Sequence, residues 1–173
     1  MSGYVGSKRS SSLVSFDEGT IGSGVVFPAG HILQVQRGSR DKNGISVSSA
    51  TYVDTVTKSI TTVAANSTIL VIYDGQSWIN GPSNMYTYVV LNRTGGASGD
   101  GDIVSETNLR GLSAQGVSAD SVHTMEQTYT YIDSPAVDAE TTLTYKIKQN
   151  GSPDSETSIV GSNCSLVLFE IAA

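Results

Sequence analysis

Any chemistry in this chain would have to be built from two histidines, one cysteine and a small set of carboxylates. His31 and His123 each stand beside an expected strand, and neither has the HxH or HExxH spacing that would bring a second ligand to the same metal. Cys164 lies between Asn163 and Ser165 at the head of the apolar run SLVLFEI. A thiol in such a strand is desolvated, which raises its pKa, so Cys164 reads as a core residue and not a nucleophile. No serine occupies the G-x-S-x-G turn of a hydrolase. Asp133, Asp138 and Glu140 offer carboxylates of the type that glycoside hydrolysis uses in pairs, but they flank Pro135 and read as solvated turn residues. The stretch from Gly95 to Asp102 is glycine-rich without the Lys-Ser/Thr ending of a phosphate loop. Its aspartates, Asp100 and Asp102, lack the further ligands of an EF-hand, so a flexible loop is the reading. The expectation is a non-enzyme with no catalytic residues, no cofactor and no metal.

Composition narrows the class further. The chain has 173 residues, enough for one domain with a sizeable core. Only 15% of residues are charged and 38% are hydrophobic, with Ser, Thr, Gly and Val prominent, a mixture that favours strands and turns. The formal charge of −6 argues against a nucleic-acid partner, which needs clustered Lys and Arg. The densest basic group, Arg37, Arg40 and Lys42, is interrupted by Asp41 and reads as a solvated loop. One cysteine excludes an intrachain disulfide framework, so packing alone must hold the fold. No apolar run reaches the length of a signal peptide or a membrane helix, and no membrane insertion is expected. The Asn-x-Ser/Thr sequences at Asn66, Asn92 and Asn163 are what chance provides in a chain of this composition.

The elements that would carry a site are short strands. Residues 1–24 are Ser- and Gly-rich with isolated apolar positions and read as an extended arm. Tyr4, Val5, Lys8, Arg9, Leu13, Val14 and Phe16 are its candidate docking residues, because an arm with no core of its own orders only on another surface. Residues 25–173 form the expected head domain. From Thr141 to Lys148, Leu143, Tyr145 and Ile147 alternate with Thr142, Thr144, Lys146 and Lys148, one face core and one face wet. Ser67 to Tyr73 is continuously apolar and closes on Asp74-Gly75, the pattern of a strand buried on both sides or lying at a subunit interface. In Met85 to Leu91, one face would show Tyr86, Tyr88 and Val90, an outward set that predicts a trimer interface there. Further strands are expected at His31 to Gln36, within Ile45 to Val63, at Met125 to Ile132 and at Cys164 to Ile171. Between Thr94 and Ser121 the chain predicts a long loop with one short strand. No segment has three turns of helical periodicity. The fold class is therefore all-β, an antiparallel two-sheet β-sandwich of jelly-roll type.

Several stretches resemble a family of tailed-bacteriophage virion proteins common in aquatic phages. Phe27-Pro28-Ala29-Gly30-His31-Ile32-Leu33-Gln34-Val35 looks like the opening of their C-terminal β domain. Ser67 to Tyr73, Tyr131-Ile132-Asp133-Ser134-Pro135 leading into Thr144-Tyr145-Lys146-Ile147, and the closing run from Leu166 to Ala173 are similar in order and spacing. The resemblance covers roughly Val25 to Ala173, and its motifs are structural, not catalytic. It implies a jelly-roll homotrimer related in plan to tumour-necrosis-factor-like heads, carried on a virus particle assembled in the host cytoplasm. The expected role is a tail-fibre or receptor-binding tip, with the arm binding other virion proteins and the head meeting a host surface receptor or glycan. Since no coiled coil, collagen-like or repetitive shaft accompanies the head, a capsid decoration protein that cements the shell is the alternative.

Overall fold

A computed structural model of the chain describes residues 16–17, 20–21, 28–41, 43–47, 51–81, 87–96, 100–104, 121–150 and 157–173. Among them every regular element is a strand. Among the described residues Phe16–Asp17 (β1) and Thr20–Ile21 (β2) pair with each other and with no other strand. The other nine form two antiparallel sheets. Ile32–Arg40 (β3), Ile45–Val47 (β4), Thr68–Gly81 (β6), Ser121–Asp133 (β9) and Thr157–Ile171 (β11) make a five-stranded sheet in the order β3-β11-β6-β9, with β4 continuing the β3 side of β11. Val53–Thr61 (β5), Val89–Thr94 (β7), Gly101–Val104 (β8) and Thr142–Gln149 (β10) make a four-stranded sheet in the order β5-β10-β7-β8. From β5 onward the chain crosses repeatedly between the sheets, and the result is a jelly-roll sandwich.

The core lies between the sheets. Leu143, Tyr145 and Ile147 of β10 face inward, as their alternation predicts, and meet Ile69, Val71 and Tyr73 of β6 and Leu166 and Leu168 of β11. The Tyr73 and Tyr129 rings stack with centroids 6.1 Å apart. β6 and β11 run longer than the sequence predicts. Asp74-Gly75 is not a turn: β6 continues to Gly81, and Gly75 is required because a Cβ there would overlap the Tyr73 hydroxyl and come within 2.7 Å of Cys164 Cβ. β11 begins at Thr157 and passes through two register shifts, with Gly161 and Asn163 both at positive φ.

Buried polar groups tie strand ends to neighbouring segments. Glu170 of β11 is fully buried, and its carboxylate accepts from the Val63 and Ala64 amides, the Ser67 hydroxyl and the Gln34 amide at 2.6–3.1 Å. It fixes the turn between β5 and β6 against the end of β11. Arg93 Nη1 of β7 donates to both oxygens of Asp133 at 2.8 and 2.7 Å, and the Tyr145 hydroxyl donates to Asp133 at 2.7 Å. Near the opposite end, Gln149 donates to Gln127 and Ser77 and accepts from Tyr73, while Gln127 donates to Thr87. Replacing Glu170 with alanine leaves several buried donors without an acceptor, each worth about 1–3 kcal/mol. We expect E170A to lose about 3–5 kcal/mol in total, read in thermal denaturation as a Tm drop on the order of 10 °C.

Candidate functional site

The residues whose types could do chemistry are dispersed. Asp133 is not a solvated turn residue: its buried carboxylate is neutralised by Arg93 and hydrogen-bonded by Tyr145, because β9 runs its last residue into the core. Asp138 and Glu140 are exposed in the following turn, so the three carboxylates do not share a cleft. Asp102 of β8 accepts from Asn92 and pairs with Lys148, and Asp100 accepts from the Gly95 amide. His31 is exposed just before β3, and the side chain of His123 lies outside the described residues. Among the described residues no group of three His, Cys, Asp or Glu is placed to hold a metal. Between the sheets, Val71, Leu91, Val104, Tyr129, Tyr131 and Ile147 line an apolar cavity of about 30 Å³. Small-molecule sites occupy roughly 300–1,000 Å³, so this gap has the size of a packing defect.

Cys164 is buried with its thiol donating to the Gly161 carbonyl at 3.2 Å, and burial pushes its pKa above the ordinary 9.0. Burial likewise pushes Tyr73 and Tyr145 well above 10.0, with the Asp133 hydrogen bond adding to the effect at Tyr145.

What distinguishes the molecule is the contrast between its two outer faces. On the four-stranded sheet the outward face is polar apart from Val90, which stands buried beside Lys148: Thr57, Ser59 and Thr61 of β5, then Thr142, Thr144, Lys146 and Lys148 of β10, then Asn92 and Thr94 of β7. The Ser59–Thr144 and Thr61–Thr142 hydroxyls bond across the strands at 2.8 and 2.9 Å, and Lys146 pairs with Asp54 at 3.0 Å. This face satisfies itself and meets water.

The five-stranded sheet differs. Its register sets Ile132, Leu70, Phe169 and Val35 side by side across β9, β6, β11 and β3. The next outward row is Thr130, Ile72, Val167 and Arg37, and on the other side Ile171 stands between Thr68 and Ile32. Ile132 on β9 is 64% exposed and Ile32 and Val35 on β3 are 52% and 50%, and the apolar residues of β6 and β11 between them are half-buried among the described residues, so an apolar row crosses four strands with Arg37 at one edge. Single exposed apolar residues are ordinary, but a contiguous block on a sheet face marks an interaction surface.

The sequence-based interface candidates lie on a different strand, β7 and the residues before it. Thr87, Val89 and Leu91 do face the core, but Val90 retains only 3% exposure within the single chain and has almost no area left to offer a neighbour. Tyr88 is half-buried, and Tyr86 lies outside the described residues. Of the arm candidates, Tyr4, Val5, Lys8, Arg9, Leu13 and Val14 also lie outside them, and Phe16 belongs to β1. The apolar outer face draws on the run STILVIY, which the sequence marks as two-sided, and on SLVLFEI, where every second residue is spare once the core is filled.

No family model matches the sequence, and no curated protein does. Solved structures of similar fold share little identity. The chain is similar to a structure of Eiger TNF from S. frugiperda at 11% identity, covering 80% of this chain and 92% of that one with a TM-score of 0.44. It is similar to the infectious bursal disease virus Gx strain structure at 11% identity and a TM-score of 0.47, and to the Gt strain structure at 10% and 0.42. These comparisons cover 91% and 93% of this chain but only 37% and 42% of the viral chains, so the chain spans about two fifths of their length.

The raised pKa values of these buried groups have a directional consequence. The unfolded chain loses the Cys164, Tyr73 and Tyr145 protons before the folded one does, so their contribution to stability is full below about pH 9 and falls as pH rises, by up to about 1.4 kcal/mol per pH unit for each ionising group. Melting curves between pH 8 and 11 are expected to show that decline, and a thiol reagent at pH 8 should label Cys164 only after denaturant is added.

Proposed function

We propose that this chain is a structural protein displayed on the surface of a bacteriophage particle, a homotrimer acting at a tail-fibre or receptor-binding tip and performing no catalysis. The assembly reading is carried by one observation, the apolar outer face of the five-stranded sheet. Its rows span the sheet from Ile132 to Val35, and the outer face of the other sheet is polar. A neighbouring copy of this chain is the cover that fits a trimer: in a three-membered ring each apolar face is covered by a different patch of the next copy, and a closed ring leaves no such face open. Location on a virus particle is supported by the sequence resemblance of residues 25–173. Residues 1–24 are then the segment that binds other virion proteins, and the head is left to meet a host receptor.

Two measurements test this reading. Sedimentation of the native chain should give three times the 18.1 kDa of one subunit. Phe169→Asp puts a charge in the middle of the apolar row, where burying it costs several kcal/mol, and should yield a folded monomer. A monomeric native chain, or a variant that still sedimented as a trimer, would sink the assembly. Gold-labelled antibody on intact particles should mark the tail tip; labelling spread over the shell would replace the tip with capsid decoration.

A further inference from the structure

The outer face of the five-stranded sheet changes character along its strands. Beyond the row Thr128, Asp74, Ser165 and Ser39 it carries hydroxyls, amides and carboxylates, and in the middle of them stands Trp78, 38% exposed. Trp78 is six residues beyond Ile72 on the same face of β6, about 20 Å from the apolar rows. Its cross-strand neighbours are Thr124 of β9 and Ile159 of β11. One step back, Gln76 donates to Glu126 at 3.2 Å and accepts from the Asn163 amide at 3.2 Å. Asn163 follows Gly161 in the irregular stretch of β11 and holds φ at 44°, and such bulges re-aim a side chain.

We infer that Trp78, with Glu126, Gln76 and Asn163, forms a binding surface for a neutral hexose-containing glycan, an inference that rests on the receptor-binding reading above. A pyranose ring has an apolar face of C–H groups and an edge of hydroxyls. The indole supplies a rigid apolar plane for the first, and the amide–carboxylate row supplies planar donors and acceptors for the second. The row is already fixed by its own hydrogen bonds, so little ordering entropy is lost on binding. One bond from Gln76 uses only one of roughly four acceptor positions on the Glu126 carboxylate. Charge selects the ligand class: Glu126 and the nearby exposed Asp74 are acidic, none of the described residues facing Trp78 is basic, and the chain carries −6, so uronic or sialic acids are repelled. A flat surface of this kind binds weakly one site at a time, and three linked copies raise the avidity.

Trp78 is the single tryptophan of the chain, so its fluorescence reports from this surface alone. The full-length protein is titrated with a panel of neutral hexose oligosaccharides and, in parallel, with sialylated and uronic ones, and the same panel is immobilised to read avidity. The expected result is a saturable change in Trp78 emission with neutral members only. Trp78→Ala should abolish retention on the immobilised glycans, and Glu126→Ala should weaken it at least tenfold, with both variants keeping the native sedimentation mass. Trp78→Tyr, which keeps an aromatic plane, should restore part of the binding. Silence across the neutral panel, equal response to the acidic one, or undiminished retention by Trp78→Ala overturns the inference. So does loss of assembly in Trp78→Ala, which would make the tryptophan part of the contact between copies. A tail-tip protein that binds none of these sugars would lose the glycan surface and keep its proposed role.

Discussion

β6 and β11, paired at the centre of the five-stranded sheet, are apolar on both faces, and the rest of the molecule follows from giving those faces cover. Inward, Ile69, Val71, Tyr73, Leu166 and Leu168 are sealed by the four-stranded sheet through Leu143, Tyr145 and Ile147. Outward, Leu70, Ile72, Val167, Phe169 and Ile171 extend into a surface that the described part of a single chain leaves partly open. Since hydrophobic stabilisation scales with apolar area removed from water, a sheet covered on one side retains a driving force for association on the other. The proposed homotrimer answers that force.

The buried polar groups explain why this arrangement has one register. A one-residue slip of β11 would exchange its inner and outer sets, and with them the position of Glu170. Its carboxylate is placed to receive four protein groups only in the observed register. Arg93, Asp133 and Tyr145 do the same for the contact between β7, β9 and β10. An unpaired buried charge is far more costly than an imperfect apolar contact, so these groups disfavour alternatives more than they stabilise the native state. They also hold the strands that present Val35 and Phe169 outward.

Much of the fold was legible in the chain. Thr142 to Lys148 alternates with period two, and the observed β10 buries the residues that this alternation selects. The run at β6 was legible as a strand needing two covers, and the run at β11 as an apolar strand. Their lengths were not, because Gly75 looks like a turn signal until Tyr73 and Cys164 are seen to press against it. The fate of Asp133 was also hidden, since its partner Arg93 is forty residues away. Trp78 carried no local signal: one tryptophan in a polar segment becomes a feature only when β9 and β11 bring Glu126 and Asn163 beside it.

By itself the sequence determined the all-β class, the main strand segments and which residues of β10 face the core, because alternation and turn residues are local properties of the chain. It also restricted the chemistry, through one cysteine, two isolated histidines and an acidic balance. Tertiary structure decided which strands became neighbours, and so which apolar residues were left facing outward. Sequence parity singled out Tyr88 and Val90 as an outward set, whereas the register between strands lines up Ile132, Leu70, Phe169 and Val35. A residue's face is set by its parity within one strand, but a surface is set by the register between strands, and register is fixed only by contacts far apart in the chain.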